Sequence, residues 1–190
     1  KMHLARDNAA AFTLDKMHAM VDRDERQIQS LIRLIEDMLD VSRIRTGKLS
    51  IRPARFDLAQ LVRNLVQNFA PQVAAAESSM QLQAEDVVEG NWDEFRIEQV
   101  ITNLLTNALR YGAKSPVEVR VYTEHGEARV EVRDHGIGIS EENQKRIFQQ
   151  FERVSASHVA AGLGLGLFIS EQIVAAHGGT IEVESQIGEG

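Results

Sequence analysis

Asp93 to Tyr111, DEFRIEQVITNLLTNALRY, constrains this chain more than any other stretch. At about 100° per residue, Ile97, Val100, Ile101, Leu104, Leu105 and Ala108 fall on one apolar face suited to lying on a sheet. Beside that face Arg96, Gln99, Asn103, Asn107 and Arg110 gather within roughly 80° of one another, a line of amides flanked by cations. On this helix alone a solvated polar face and a ligand-facing one are equal readings.

Two later segments move the balance. Val130 to Ile139, VEVRDHGIGI, alternates like a strand and then breaks at Asp134 into the closely spaced Gly136 and Gly138. Ala161 to Ile169, AGLGLGLFI, is a glycine-rich loop opening a helix. A helix starting there offers unpaired backbone N–H groups and a positive dipole end, and glycines let phosphates approach the backbone. A carboxylate at the strand end can accept from an exocyclic amine. Each signal has a plain alternative, glycines for helix packing and an ordinary turn Asp. Their combination points to a nucleotide pocket.

Composition removes other classes. A chain of 190 residues, 43% hydrophobic, can bury one good core and carry a smaller element beside it. Without cysteine there are no disulfides and no thiolate metal sites, and the six histidines form no His-x-x-His cluster. Residues 1–50 carry nine basic and eight acidic side chains, residues 51–190 twelve and twenty. The excess negative charge therefore lies in the larger part and argues against a nucleic-acid surface. No apolar run approaches the roughly 20 residues of a membrane span, and no signal-peptide pattern opens the chain, so no membrane contact is expected in this stretch.

In order, a helix is expected from about Leu14 to Ile44, with Ile28, Leu31, Ile32, Ile35, Met38, Leu39 and Ser42 repeating at three and four. Such a narrow seam on a heavily charged helix fits a self-associating bundle. Gly47 supplies the stop. Lys48 to Pro53 reads as a short strand. Phe56 and Asp57 open the next helix, Asp57 as N-cap and Gln60 at the capping-box position, with Leu58, Leu61, Val62, Leu65 and Phe69 buried and Pro71 as a possible kink. Met80 to Ala84 and Val87 to Gly90 read as strands, and Asp93 caps the central helix. Val117 to Thr123 and Ala128 to Arg133 form a hairpin about His125-Gly126. Ser140 caps a short helix ending near Phe148, residues 149–161 form a mobile loop, and the last helix runs to His177 before a strand at Thr180 to Ser185. Both ends read as truncated, with a further strand expected after Gly190.

The ordered set Asn103-Leu-Leu-Thr-Asn107-Ala-Leu-Arg-Tyr111, Asp134-His-Gly-Ile-Gly138, Phe148-Gln-Gln-Phe151-Glu-Arg153 and Gly162-Leu-Gly-Leu-Gly166 resembles the ATP-binding domain of sensor histidine kinases, in the wider GHKL superfamily. Leu34 to Ile44 with Gly47-Lys48-Leu49 resembles the second helix of that family's dimerisation and phosphotransfer bundle. The resemblance implies an α+β fold: a two-layer sandwich, its mixed, mostly antiparallel sheet covered by helices on one face, preceded by a long bundle helix. Residues 1–48 would be a partial dimerisation segment and 49–190 the ATP-binding catalytic domain.

Carried over, Asn107 would ligate Mg²⁺ on the ATP phosphates, an oxygen ligand suited to a hard cation, with Asn103 as support. Arg110, where the family usually has Lys, would contact phosphate with Tyr111 beside the nucleotide. Asp134 would hold the adenine amine between Gly136 and Gly138, and the run Gly162, Leu163, Gly164, Leu165, Gly166 would line the phosphates. Arg153, in the loop expected to act as a lid, would approach the γ-phosphate. Asn107, Arg110 and Arg153 are thus the expected catalytic residues. The implied reaction is phosphoryl transfer from Mg-ATP to a histidine and on to a response-regulator receiver domain, in a bacterial cytoplasmic homodimer, with a membrane anchor allowed elsewhere in the parent protein.

One departure matters. The family's acceptor His is followed by an acidic residue, whereas His3 is followed by Leu-Ala-Arg and His18 by Ala-Met-Val. The acceptor and its neighbouring acid, the general base, are therefore expected upstream of Lys1. His3 and His18 are expected to be exposed, and His135, His158 and His177 to be structural or lid residues. The alternatives are a nucleotide-binding scaffold without phosphotransfer and another ATPase or serine kinase of the superfamily, the latter disfavoured by the bundle helix.

Overall fold

The computed structural model describes residues 14–112, 114–152 and 163–190. The chain divides between Leu39 and Asp40 into two compact units. In the first, helix α1 (Leu14–Arg45, 32 residues) runs without interruption and crosses the division. Its seam residues Ile28, Leu31, Ile32, Ile35, Met38 and Leu39 are all exposed, as is His18. The helix ends where expected, with Gly47 at φ +63° and Lys48 N–H donating to the Arg43 carbonyl at 2.7 Å.

The second unit is α+β. A two-stranded antiparallel ribbon pairs β1 (Ala54–Asp57) with β3 (Glu89–Trp92). A three-stranded sheet of order β2-β4-β5 joins β2 (Met80–Ala84) to β4 (Val117–Glu124) in parallel, and β4 to β5 (Glu127–Arg133) antiparallel. His125 at φ +52° and Gly126 at φ +84° make the tight hairpin turn, a geometry that matches strand twist. Val117, Val119 and Val121 point to one face of β4 and are buried, while Glu118 and Arg120 point to the other. On that apolar face lie α2 (Leu58–Asn68) and α4 (Glu94–Tyr111). The predicted sandwich, with helices on one face, is the one observed.

The expected strand at Lys48 to Pro53 does not form; pairing starts at Ala54. Pro53 has no N–H to give, and the Arg52 N–H goes instead to the Asp93 carboxylate at 2.7 Å. Phe56 accordingly belongs to β1 and not to the helix. Asp57 is the N-cap of α2, its Oδ1 accepting from Ala59 N–H at 3.0 Å and from Val88 N–H at 2.9 Å. Gln60 does not close a capping box; its amide donates along the helix to Asn64. At Pro71 the helix breaks: α3 (Ala70–Ala75) is a separate piece, with Pro in its first turn.

The second predicted short strand lies two residues later, as β3. The helix after Ser140 shortens to α5 (Glu141–Gln144), without a side-chain cap bond. Thr180 to Ser185 keeps the alternation of a strand, Ile181 and Val183 being partly buried, but has no ladder. A strand exists only by pairing, and among the described residues none of β1 to β5 is paired with this segment.

The central helix departs from its wheel in an informative way. Ile101, Leu105 and Ala108 enter the core over the sheet, with Ile97 partly buried there. Val100 and Leu104 instead join a second core with Val41, Leu165, Ile169 and Ile173. One apolar face is thus shared between the sheet and α6 (Gly166–Ala176). His177 ties the two helices: Asp93 N–H donates to His177 Nε2 at 3.0 Å, leaving Nδ1–H to donate to the Ile173 carbonyl at 2.8 Å.

Candidate functional site

Helix α4 is the common wall of the site. Asp93 starts it, accepting from Arg96 N–H at 3.2 Å, and an uninterrupted α-helical run of 18 residues stacks the polar stripe along its length. The stripe does not act as one surface. Arg96 and Gln99 are taken by Asp40, near the end of α1: Arg96 Nη1 lies 2.7 Å and Gln99 Nε2 2.9 Å from Asp40 Oδ2. Asp40 is 4% exposed and Arg96 8%, so this ion pair is buried. Burial alone would raise the Asp40 pKa. The hydrogen bonds from Arg96 and Gln99 and the charges of Arg96 and Arg43 outweigh it and hold the carboxyl below its ordinary value.

One turn on, Asn103 donates from Nδ2 to Ser170 Oγ at 3.0 Å, and its Oδ1 faces Gly166, where a Cβ would collide with it. Asn107 and Arg110 follow, the first partly and the second largely exposed, and neither has a side-chain hydrogen bond or ion pair among the described residues. These two are the part of the stripe that no other described segment takes up.

The Asp134 loop closes on the C-terminal end of the same helix. Ile137 N–H donates to the Tyr111 carbonyl at 3.3 Å, and a Cβ on Gly136 would overlap that carbonyl oxygen. Asp134 Oδ1 accepts from Gly136 N–H at 2.9 Å, the turn role of an ordinary Asp. Its second oxygen has no partner among the described residues, so the turn role leaves one oxygen of the carboxylate free to accept. Gly138, at φ +65°, packs against the backbone of Gln186 and Ile187. Ile139 N–H donates to Ser185 Oγ at 2.8 Å, and Gln144 bonds the carbonyls of Ile139 and Ser185, which pins the loop from behind.

The glycine-rich run meets the middle of α4. Gly164, at φ +70°, lies against the Glu152 carbonyl and accepts from Phe151 N–H at 3.0 Å, joining it to the Phe148–Phe151 segment. Leu165 is 1% exposed and Leu163 packs beside it in the second core, so only their backbone can face a ligand. Gly166 begins α6, whose first N–H groups have no helical partner. Arg153, Gly162 and His158 lie outside the described residues, as do His3 and most of the expected mobile loop. His135 is held on the sheet by Glu118, 3.1 Å away.

Asp40 and Ser170 were not legible as site neighbours. Ser170 is the one buried polar residue of an otherwise apolar helix face, a signal the sequence carried without a partner to explain it. Among the described residues no three of His, Asp or Glu are grouped to hold a metal. A hard cation at this site would rest on Asn107 and on a ligand's own oxygens, and the free amide oxygen of Asn107 fits that part. No helix among the described residues is long and apolar enough to cross a membrane.

The family model described as histidine kinase-, DNA gyrase B-, and HSP90-like ATPase matches residues 92–190. The chain is 34% identical over 170 residues to the circadian input-output histidine kinase CikA of Synechococcus elongatus, covering 85% of this chain and 22% of that protein. It is 34% identical over 173 residues to the alginate biosynthesis sensor protein KinB of Pseudomonas aeruginosa, covering 90% and 29%. It thus spans less than a third of the length of either relative. The solved structure of the Acinetobacter baumannii histidine kinase AdeS shares the fold, with a TM-score of 0.73 at 24% identity over 90% of this chain and 79% of that one. On these matches the chain belongs to the histidine kinase-, DNA gyrase B- and HSP90-like ATPase family, and its relatives include proteins named as sensor histidine kinases.

Proposed function

We propose that the chain is the ATP-binding catalytic core of a two-component sensor histidine kinase, transferring the γ-phosphate of Mg-ATP to a histidine for relay to a receiver-domain aspartate. The observation that carries this reading is the convergence of two separate segments on α4 beside Asn107 and Arg110: the Asp134 loop against Tyr111, and the glycine-rich start of α6 against Asn103. Residues 49–190 are the nucleotide-binding domain and 1–48 a dimerisation and phosphotransfer segment. The parent protein is a bacterial cytoplasmic kinase or a membrane-anchored one with this part in the cytoplasm.

Each residue has a role that follows from its chemistry. The unpartnered oxygen of Asp134 accepts the adenine amine, and Gly136 and Gly138 keep the loop close to α4 beside Tyr111. The free N–H groups from Gly164 to the start of α6 take phosphate oxygens, favoured by the helix dipole. Arg110 meets phosphate charge, as does Arg153. Asn107 would hold a magnesium ion, which would supply charge neutralisation. Catalysis is then mainly positioning and electrostatics, as phosphoryl transfer requires.

Calorimetric titration of Mg-ATP, with the histidine-containing parent assayed for acid-labile phosphate, tests this. Binding with saturable 1:1 stoichiometry and acid-labile label on the parent are expected. Binding without any label in the parent would leave a nucleotide-binding scaffold, and no binding would remove the nucleotide reading altogether.

A further inference from the structure

Ser170 sits one turn along α6 from Gly166 and is 2% exposed, a hydroxyl in an otherwise apolar helix face. A buried hydroxyl needs a hydrogen-bond partner, and here it is Asn103 Nδ2 at 3.0 Å. With its nitrogen committed to Ser170, the Asn103 amide turns its oxygen to Gly166, which has no side chain to displace it. Two contacts on one amide therefore set where α6 begins relative to α4. Asn107 lies one turn further along α4, and the free N–H groups of α6 start at Gly166.

We infer that Ser170 is a positioning residue of the nucleotide site: it orients the Asn103 amide, and through it fixes the first residues of α6 relative to Asn107. This rests on the nucleotide reading above. Ser170 touches no nucleotide itself. A Cβ at Gly166 would fall on the Asn103 amide, so the close approach of the two requires glycine there. A change at Ser170 therefore acts on ligand affinity through Asn103 and has no independent effect.

Four versions of the 190-residue chain test the coupling: wild type, Ser170→Cys, Asn103→Ala and the double variant, each titrated calorimetrically with Mg-ATP and melted without it. Cysteine keeps the buried shape of serine and replaces its oxygen with a weak acceptor, so the protein folds. Ser170→Cys is expected to weaken Mg-ATP binding about threefold to thirtyfold, and the double variant to bind no more weakly than Asn103→Ala alone. In the ligand-free ¹H–¹⁵N spectrum, Ser170→Cys should move the Asn103 side-chain amide pair, identified by its loss in Asn103→Ala, and the N–H signals of Gly166 and Leu167. The Trp92 indole signal should stay. Lower melting temperature with unchanged affinity, or effects that multiply in the double variant, would overturn the inference while the nucleotide reading stood. Wild type that failed to bind Mg-ATP would take both down.

Discussion

Asn107 differs from Asn103, one turn away on the same helix, in having no side-chain partner among the described residues. A residue on neither core face tolerates substitution without unfolding, so Asn107→Asp should keep the melting temperature. It should lose Mg-ATP affinity by roughly tenfold or more, about 1.4 kcal/mol, because a carboxylate then faces the phosphates in place of a neutral amide. Undiminished binding would take Asn107 out of the site. Asp134 governs base choice by the same logic. A carboxylate only accepts, so it suits the amine of adenine and opposes the carbonyl oxygen of guanine. Asp134→Asn should cost about 1–3 kcal/mol of ATP affinity and narrow the gap to GTP in a competition titration. Equal preference in wild type would reduce Asp134 to the turn residue that its bond to Gly136 also describes. Gly136 marks a steric limit. Alanine there would press on the Tyr111 carbonyl, and about 1–3 kcal/mol of stability should be lost in urea titration.

At the scale of elements, Asp40 attaches the end of α1 to the first turns of α4 through Arg96 and Gln99. Removing one partner of such a buried pair leaves the other charge without compensation, so Asp40→Ala should destabilise the domain by about 3–5 kcal/mol. Replacing both, as Asp40→Leu with Arg96→Met, should recover most of it. The pair also sets an acid limit. Because the folded pKa of Asp40 lies below its ordinary 3.8, its contribution is complete above that value and is lost as pH falls through the lower, folded one. Urea titrations between about pH 2 and 5 should therefore show a steeper acid loss in wild type than in Asp40→Asn. Equal slopes would mean that Asp40 is not held charged by Arg96. The same network explains why the polar stripe on α4 has two ends with different work, structural at Arg96 and Gln99 and open at Asn107 and Arg110.

At the scale of the whole molecule, the seam of α1 calls for a partner. Ile28, Leu31, Ile32, Ile35, Met38 and Leu39 are exposed along one helix, an apolar seam too large to leave in water and spaced for helix pairing. Sedimentation equilibrium should give a dimer for wild type, and Leu31→Glu with Ile35→Lys should give a monomer that still binds Mg-ATP. A wild-type monomer at tens of micromolar would show that the seam needs a different partner. The 190-residue chain should also bind ATP without labelling itself, since none of its histidines is followed directly by an acidic residue. Acid-labile label on His18 or another of them would overturn that.

The sequence alone determined what depends on neighbours along the chain. Helix α4 with its cap, the hairpin about His125, the stop at Gly47 and the glycine-opened α6 were all legible, because periodicity, capping and positive φ are local properties. The order of the Asn, Asp-Gly and Gly-rich motifs carried the family as well. What only the tertiary structure decided depends on contacts between distant segments. The capture of Arg96 and Gln99 by Asp40 and the Ser170 bond to Asn103 join residues at least 56 positions apart, and the division of the α4 apolar face between two cores likewise depends on segments that only the fold brings together. Thr180 to Ser185 has the alternation of a strand but no ladder, because a strand requires a partner that alternation cannot supply. A hydrogen bond between distant residues has no period, so a single sequence names its candidates and leaves the pairing to the fold.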